Sequence, residues 1–170
     1  MDKEELLDIV NENDMFIEQT TLSNKFLNNF ITRNVAVFIM GRDGRLLIVK
    51  RSPSKKSFPS RYDVAACGNV ISGESYFEAA TREVGEELGI TCGLKFIGKV
   101  FNEFEENGIS MRYFTGIFLG HYDGEVNLNE ELVESCRLTV KEIEDMIKEN
   151  EELFTPGFIN DFIYAKDKLK

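Results

Sequence analysis

The chain has 170 residues, 42% of them hydrophobic and 29% charged, with a formal net charge of −10 and a pI near 4.7. That composition fits one water-soluble globular unit with a full core, and the negative charge excludes a general electrostatic attraction to nucleic acid. It also repels phosphate-rich ligands, so any such ligand demands bound cations.

In chain order, residues 6–10 and 15–20 read as two strands around the turn Asn11, Glu12, Asn13 and Asp14. Residues 34–40 and 46–51 read as a second hairpin around Gly41, Arg42, Asp43 and Gly44. Residues 61–67 form an extended piece. A helix over residues 77–88 follows, then two long antiparallel strands over 94–103 and 110–119 that turn near Asn107 and Gly108. Residues 140–150 and 157–170 read as helices, the last one started by Pro156. One patterned helix amid strands, with two more at the end, is expected to give an α+β fold, an α/β/α sandwich around a mixed sheet. A single domain over 1–170 is expected, with residues 1–33 as hairpin and connection and 34–170 as core. The open hairpin edge can pair with another chain, giving a homodimer, or cap its own sheet.

Cys67, Cys92 and Cys136 are widely spaced and make neither a metal-ligand cluster nor an even disulfide framework. Reduced thiols and a cytoplasmic location are the expectation. The opening Met1, Asp2, Lys3, Glu4 and Glu5 is unlike a signal peptide, and residues 35–40 are too short an apolar run to span a bilayer.

The chemistry concentrates in residues 68–90, GNVISGESYFEAATREVGEELGI. Ser75 is a natural N-cap, Glu78 completes a capping box, and Gly89 supplies the stop. At about 100° per residue, Phe77, Ala80, Val84 and Leu88 form one apolar stripe, while Glu83, Glu86 and Glu87 gather on a different face. Three carboxylates so placed repel each other by a few tenths of a kcal/mol per pair. Glu86 and Glu87 also sit in the last turn, where the helix dipole disfavours negative charge. A hard divalent cation, Mg²⁺ or Mn²⁺, removes both penalties, and oxygen-only ligands suit it. Arg82 is the nearby cation and is expected to orient a carboxylate, Glu74 or Glu86.

The fixed positions Gly68, Glu74, Arg82, Glu83, Glu86, Glu87 and Gly89, with aliphatic Val84 and Ile90, fit G-x5-E-x7-R-E-U-x-E-E-x-G-U, U being aliphatic, without deviation. Seven such matches at a frequency of about 0.07 each arise by chance roughly once in 10⁸ start positions. The pattern resembles the Nudix box, the signature of hydrolases that cut a nucleoside diphosphate joined to another group. The resemblance implies the sandwich fold and hydrolysis of a small-molecule diphosphate with Mg²⁺, Mn²⁺ being the substitute. It also implies a metal set of Glu83, Glu86 and Glu87 with the backbone at Gly68 and a later carboxylate. Glu131 matches that last place best, with Glu130 and Glu134 competing. Glu83, Glu86 and Arg82 form the candidate catalytic set, Glu86 being either a further ligand or the base for the water.

Upstream, Lys50, Arg51, Ser52, Lys56, Pro59, Tyr62 and Asp63 resemble a Nudix subgroup related to type 1 isopentenyl diphosphate isomerase, with Ser60 where that subgroup has glycine. The isomerase places a reactive cysteine and a histidine around the first box glycine. Here Cys67 stands in the first place and Asn69 in the second, and His121 is the one histidine of the chain. Hydrolysis is therefore expected over isomerisation. A non-catalytic nucleotide-binding protein is the further alternative. Arg51, Lys55, Lys56 and Tyr62 are the candidate substrate-binding residues.

Overall fold

The computed structural model describes residues 4–170. The first three residues, part of the opening read above as unlike a signal peptide, lie outside it. Among the described residues no helix is long and apolar enough to cross a membrane.

The chain order is β1 (Leu6–Val10), β2 (Phe16–Thr21), β3 (Thr32–Met40), β4 (Leu46–Arg51), β5 (Tyr62–Val64), β6 (Ala66–Asn69), α1 (Tyr76–Leu88), β7 (Leu94–Glu106), β8 (Ile109–His121), β9 (Leu132–Leu138), α2 (Val140–Glu149) and α3 (Pro156–Ala165). β3 runs parallel to β8 over its whole length, from Thr32 against Tyr113 to Met40 against His121, and the other pairings between these strands are antiparallel. The sheet is therefore mixed, as expected. β3 and β4 pair only at Met40 and Leu46 and then diverge. The extended piece expected over 61–67 fills the gap as two short strands, β5 on β4 and β6 on β3. β6 thus runs beside β3 and leads through residues 70–75 into α1.

Strand alternation loads both faces of the sheet. Val35, Val37, Ile39 and Phe118 pack under α1, whereas Ala36, Phe38, Ile117 and Leu119 pack under α2 and α3 with Ile143, Phe154, Phe158 and Phe162. Three sequence expectations shift. The segment after Glu131, read above only for its candidate carboxylates, is the strand β9 on β4. The last helix ends at Ala165 and continues only as a 3-10 turn over Lys166–Lys168. Phe77 is 53% exposed and reaches the core only edge-on, its ring 6.1 Å from that of Phe118.

The N-terminal hairpin docks through β1, which bridges Ile31 and Ile71, and through its turn. Asp14 accepts from Arg33 Nε (2.6 Å), Tyr76 Oη (2.9 Å) and Lys99 Nζ (2.5 Å), which ties β1 and β2 to the body. β2 pairs with β1 alone among the described strands, and Met15 just before it and Phe16 and Ile17 within it are exposed.

In the loop between β4 and β5, Phe58 and Ser60 both take left-handed backbone (φ 48° and 61°). Phe58 is buried edge-on against Phe104, which holds the conformation. Ser60 has no such anchor, and this is the position where the resembling subgroup carries glycine. The left-handed region costs a non-glycine residue about 1–2 kcal/mol, partly offset by the extra unfolded-state entropy of glycine, about 0.5–1 kcal/mol. Ser60→Gly is expected to raise stability by a net ~0.5–1 kcal/mol, read as an increased urea midpoint at unchanged m-value.

Candidate active site

α1 begins as the sequence dictates. Ser75 Oγ accepts from Glu78 N (3.2 Å), and the Glu78 carboxylate accepts from Ser75 N (2.8 Å), closing the capping box. Gly89 ends the helix with a left-handed φ of 64°. The buried face, however, is wider than the apolar stripe: it comprises Ala79, Ala80, Val84 and Leu88 together with Glu83 and Glu87. Residues 79, 83 and 87 form the row beside 80, 84 and 88, so two of the three glutamates lie against the sheet and Glu86 lies outside.

These two carboxylates press on β6. A Cβ at Gly68 would stand 2.0 Å from Glu83 Oε1, so Gly68 is required here for closeness. Glu87 accepts from the Cys67 amide at 3.0 Å. Burial pushes Glu83 up to about 7, with Glu86 and Glu131 adding to the rise and Arg82 opposing it. Burial, then the charge of Glu83, pushes Glu87 well above the usual carboxylate range. Arg82 acts as a hub. It grips Glu74 with two bonds (2.7 and 2.9 Å), donates to Glu83 (2.6 Å) and to the Asn69 carbonyl (2.9 Å), and reaches Glu86 at 3.4 Å. The carboxylates it orients best are thus Glu74 and Glu83, with Glu86 held more weakly.

The pair opens into a cleft of about 450 Å³. Glu86 and Glu131 line the same cleft, both half-exposed, and Lys55 pairs with Glu131. Among the described residues no three carboxylate, imidazole or thiol groups converge on one point. Glu86 is drawn toward Arg82 and Glu131 toward Lys55, whereas Glu83 and Glu87 are fixed. The donor chemistry nevertheless fits a hard divalent ion: buried oxygen ligands, costly as anions without a cation, lie beside a backbone that has no side chain in the way.

Of the candidate substrate-binding residues, Arg51 and Lys55 line the cleft. Arg51 donates to the Ser57 carbonyl (2.9 and 3.2 Å) and faces Asp63 at 3.5 Å. Lys56 is exposed and off the cleft. Tyr62 leaves β5 on the opposite face from Asp63. Its hydroxyl donates to Glu134 (3.2 Å) and its ring lies 5.8 Å from that of Phe154, so Glu134 is also off the cleft. Cys67 lines the cleft wall, where burial pushes its thiol well up, leaving it a neutral group. His121 is exposed at the end of β8. All three cysteines are free.

The cleft is also lined by groups that sequence reasoning did not single out. Asp161 of α3 is 4% exposed, accepts from Asn102 Nδ2 (2.9 Å), and is pushed by burial up to about 8. A carboxylate flanked by Phe158 and Phe162 on an apolar helix was the available signal. Lys25, between two 3-10 turns, is equally buried, and nothing in its sequence context announces it.

Comparison with known proteins gives a consistent result. Residues 31–158 match the family model for the NUDIX domain. An uncharacterised Nudix hydrolase of Listeria innocua is 30% identical over 94% of both chains. An isopentenyl-diphosphate Δ-isomerase of Photorhabdus laumondii is 27% identical over 75% of this chain and 73% of its own length. The crystal structure of DR0079 from Deinococcus radiodurans superimposes with a TM-score of 0.73 at 28% identity, covering 86% of this chain and 90% of that one. The chain spans 63% and 51% of the length of two further relatives.

Proposed function

The chain belongs to the Nudix hydrolase family, and from that premise we propose that it hydrolyses the P–O–P bond of a small diphosphate compound, a nucleoside diphosphate derivative or similar, with Mg²⁺ or Mn²⁺. The observation that carries this reading is the buried pair Glu83 and Glu87, clamped against Gly68 and Cys67 on the wall of a cleft. In this reading Glu83 and Glu87 hold the ion, with the Gly68 carbonyl and, once released from Lys55, Glu131. When bound, the ion neutralises diphosphate oxygens and lowers the pKa of the attacking water. Glu86, weakly held and solvated, is free to turn inward and take the proton of that water. Arg82 holds Glu83 in place. Arg51 and Lys55, which line the same cleft, steady phosphate oxygens, and neither Lys56 nor Tyr62 has a part in it. Asn69 in place of histidine disfavours isomerisation. A cytoplasmic location, suggested by the free thiols, belongs to the same reading.

The test is a screen of nucleoside diphosphates, nucleotide sugars, dinucleotides and non-nucleotide diphosphates, with phosphate read after phosphatase coupling. Release that stops in excess EDTA and returns with Mg²⁺ is expected. Full activity in EDTA would overturn the metal role.

A further inference from the structure

The connection between β2 and β3 carries two 3-10 turns, Leu22–Asn24 and Leu27–Asn29, with Lys25 between them. Lys25 is only 7% exposed, and its side chain lines the cleft. The ammonium donates to Asn34 Oδ1 of β3 at 3.2 Å and to Asn69 Oδ1 of β6, and lies 5.5 Å from the ring centres of Phe26 and Tyr113. Among the described residues it makes no ion pair, although Asp63, Glu83, Glu87 and Asp161 line the same cleft.

A buried charge without an opposite charge is costly, and proteins keep one where something else supplies the balance. Two neutral amide oxygens aim this ammonium, and one of its three donors remains. Desolvation accordingly pulls the group down to about 8. An anionic ligand in the cleft removes that penalty. The position also stands before residue 31, where the family match begins.

We propose that Lys25 is a substrate-binding residue whose ammonium receives an anionic phosphate oxygen, so that the segment ahead of the family domain completes the cleft. The nature of the ligand rests on the hydrolase reading; the placement of the charge rests on geometry alone. A merely structural Lys25 would pin the connection to Asn34 and Asn69 and leave ligand affinity alone.

The decisive experiment uses imidodiphosphate with Mg²⁺ as the probe. Calorimetry on Lys25→Met is expected to show binding weaker by about tenfold to a hundredfold, the range of a charged hydrogen bond, with Lys25→Arg in between. In turnover, KM rises by the same factor while kcat stays near the wild-type value. The 13Cε resonance of Lys25 in the wild-type protein moves on titration with imidodiphosphate, which decides the matter should the variant not fold. An unmoved resonance, or a folded Lys25→Met with unchanged affinity, overturns the proposal. Phosphate release insensitive to Lys25→Met sinks this inference and spares the hydrolase. Probe binding that depends on Lys25 without any phosphate release does the reverse.

Discussion

Glu87→Gln is expected to lower kcat by at least ~100-fold, since loss of even an outer partner of a metal ligand costs about 10–100-fold. Glutamine keeps the length and the carbonyl oxygen that accepts from the Cys67 amide, so the fold survives. It removes the charge that burial makes expensive at this site. The metal-free variant should therefore melt at the wild-type temperature or above, while Mg²⁺ no longer adds stability. Activity and stability move in opposite directions, which separates loss of the site from loss of the fold. Wild-type kcat in a folded Glu87→Gln would remove Glu87 from the metal set.

The second large effect belongs to Gly68→Ala. The added methyl meets Glu83 Oε1 at 2.0 Å, far inside contact. β6 cannot retreat because Gly68 is paired with Val35 of β3. Glu83 must swing out instead, breaking its 2.6 Å bond with Arg82. Overpacking of this kind costs about 1–3 kcal/mol, and displacement of Glu83 should weaken Mg²⁺ binding by about 10–100-fold, both measurable by chemical denaturation and calorimetry. Adding Glu83→Asp shortens the offending side chain. The double variant should regain stability without regaining metal affinity, a non-additive result that marks direct contact between the two positions. Additive losses would show that Gly68 matters for some other reason.

How much of this was legible in the sequence depends on how far each signal reaches along the chain. The capping box, the helix stop and the glutamate spacing of α1 are local, and the structure keeps them within one residue. The inward turn of Glu83 and Glu87 was hidden because periodicity ranks residues by apolarity, and a buried carboxylate is the exception it misses. β9 was hidden because only its pairing with β4 reveals it; Val133, Glu134 and Ser135 are all exposed. Tyr62 and Lys56 matched a motif by position, but strand parity turned Tyr62 to the far face and the loop left Lys56 in solvent. Lys25 and Asp161 owe their burial to segments far away in sequence, so no window around either could disclose it.

The cleft draws its walls from Lys25, Arg51, Gly68, Glu83, Glu131 and Asp161, nearly the full span of the chain. No contiguous fragment carries this surface, and a compound seated in it recognises only the assembled molecule. Occupancy then resists melting of the whole by mass action, about 2.7 kcal/mol at one hundred times Kd. A rise in melting temperature can thus rank unlabelled compounds from a metabolite collection before any reaction is known.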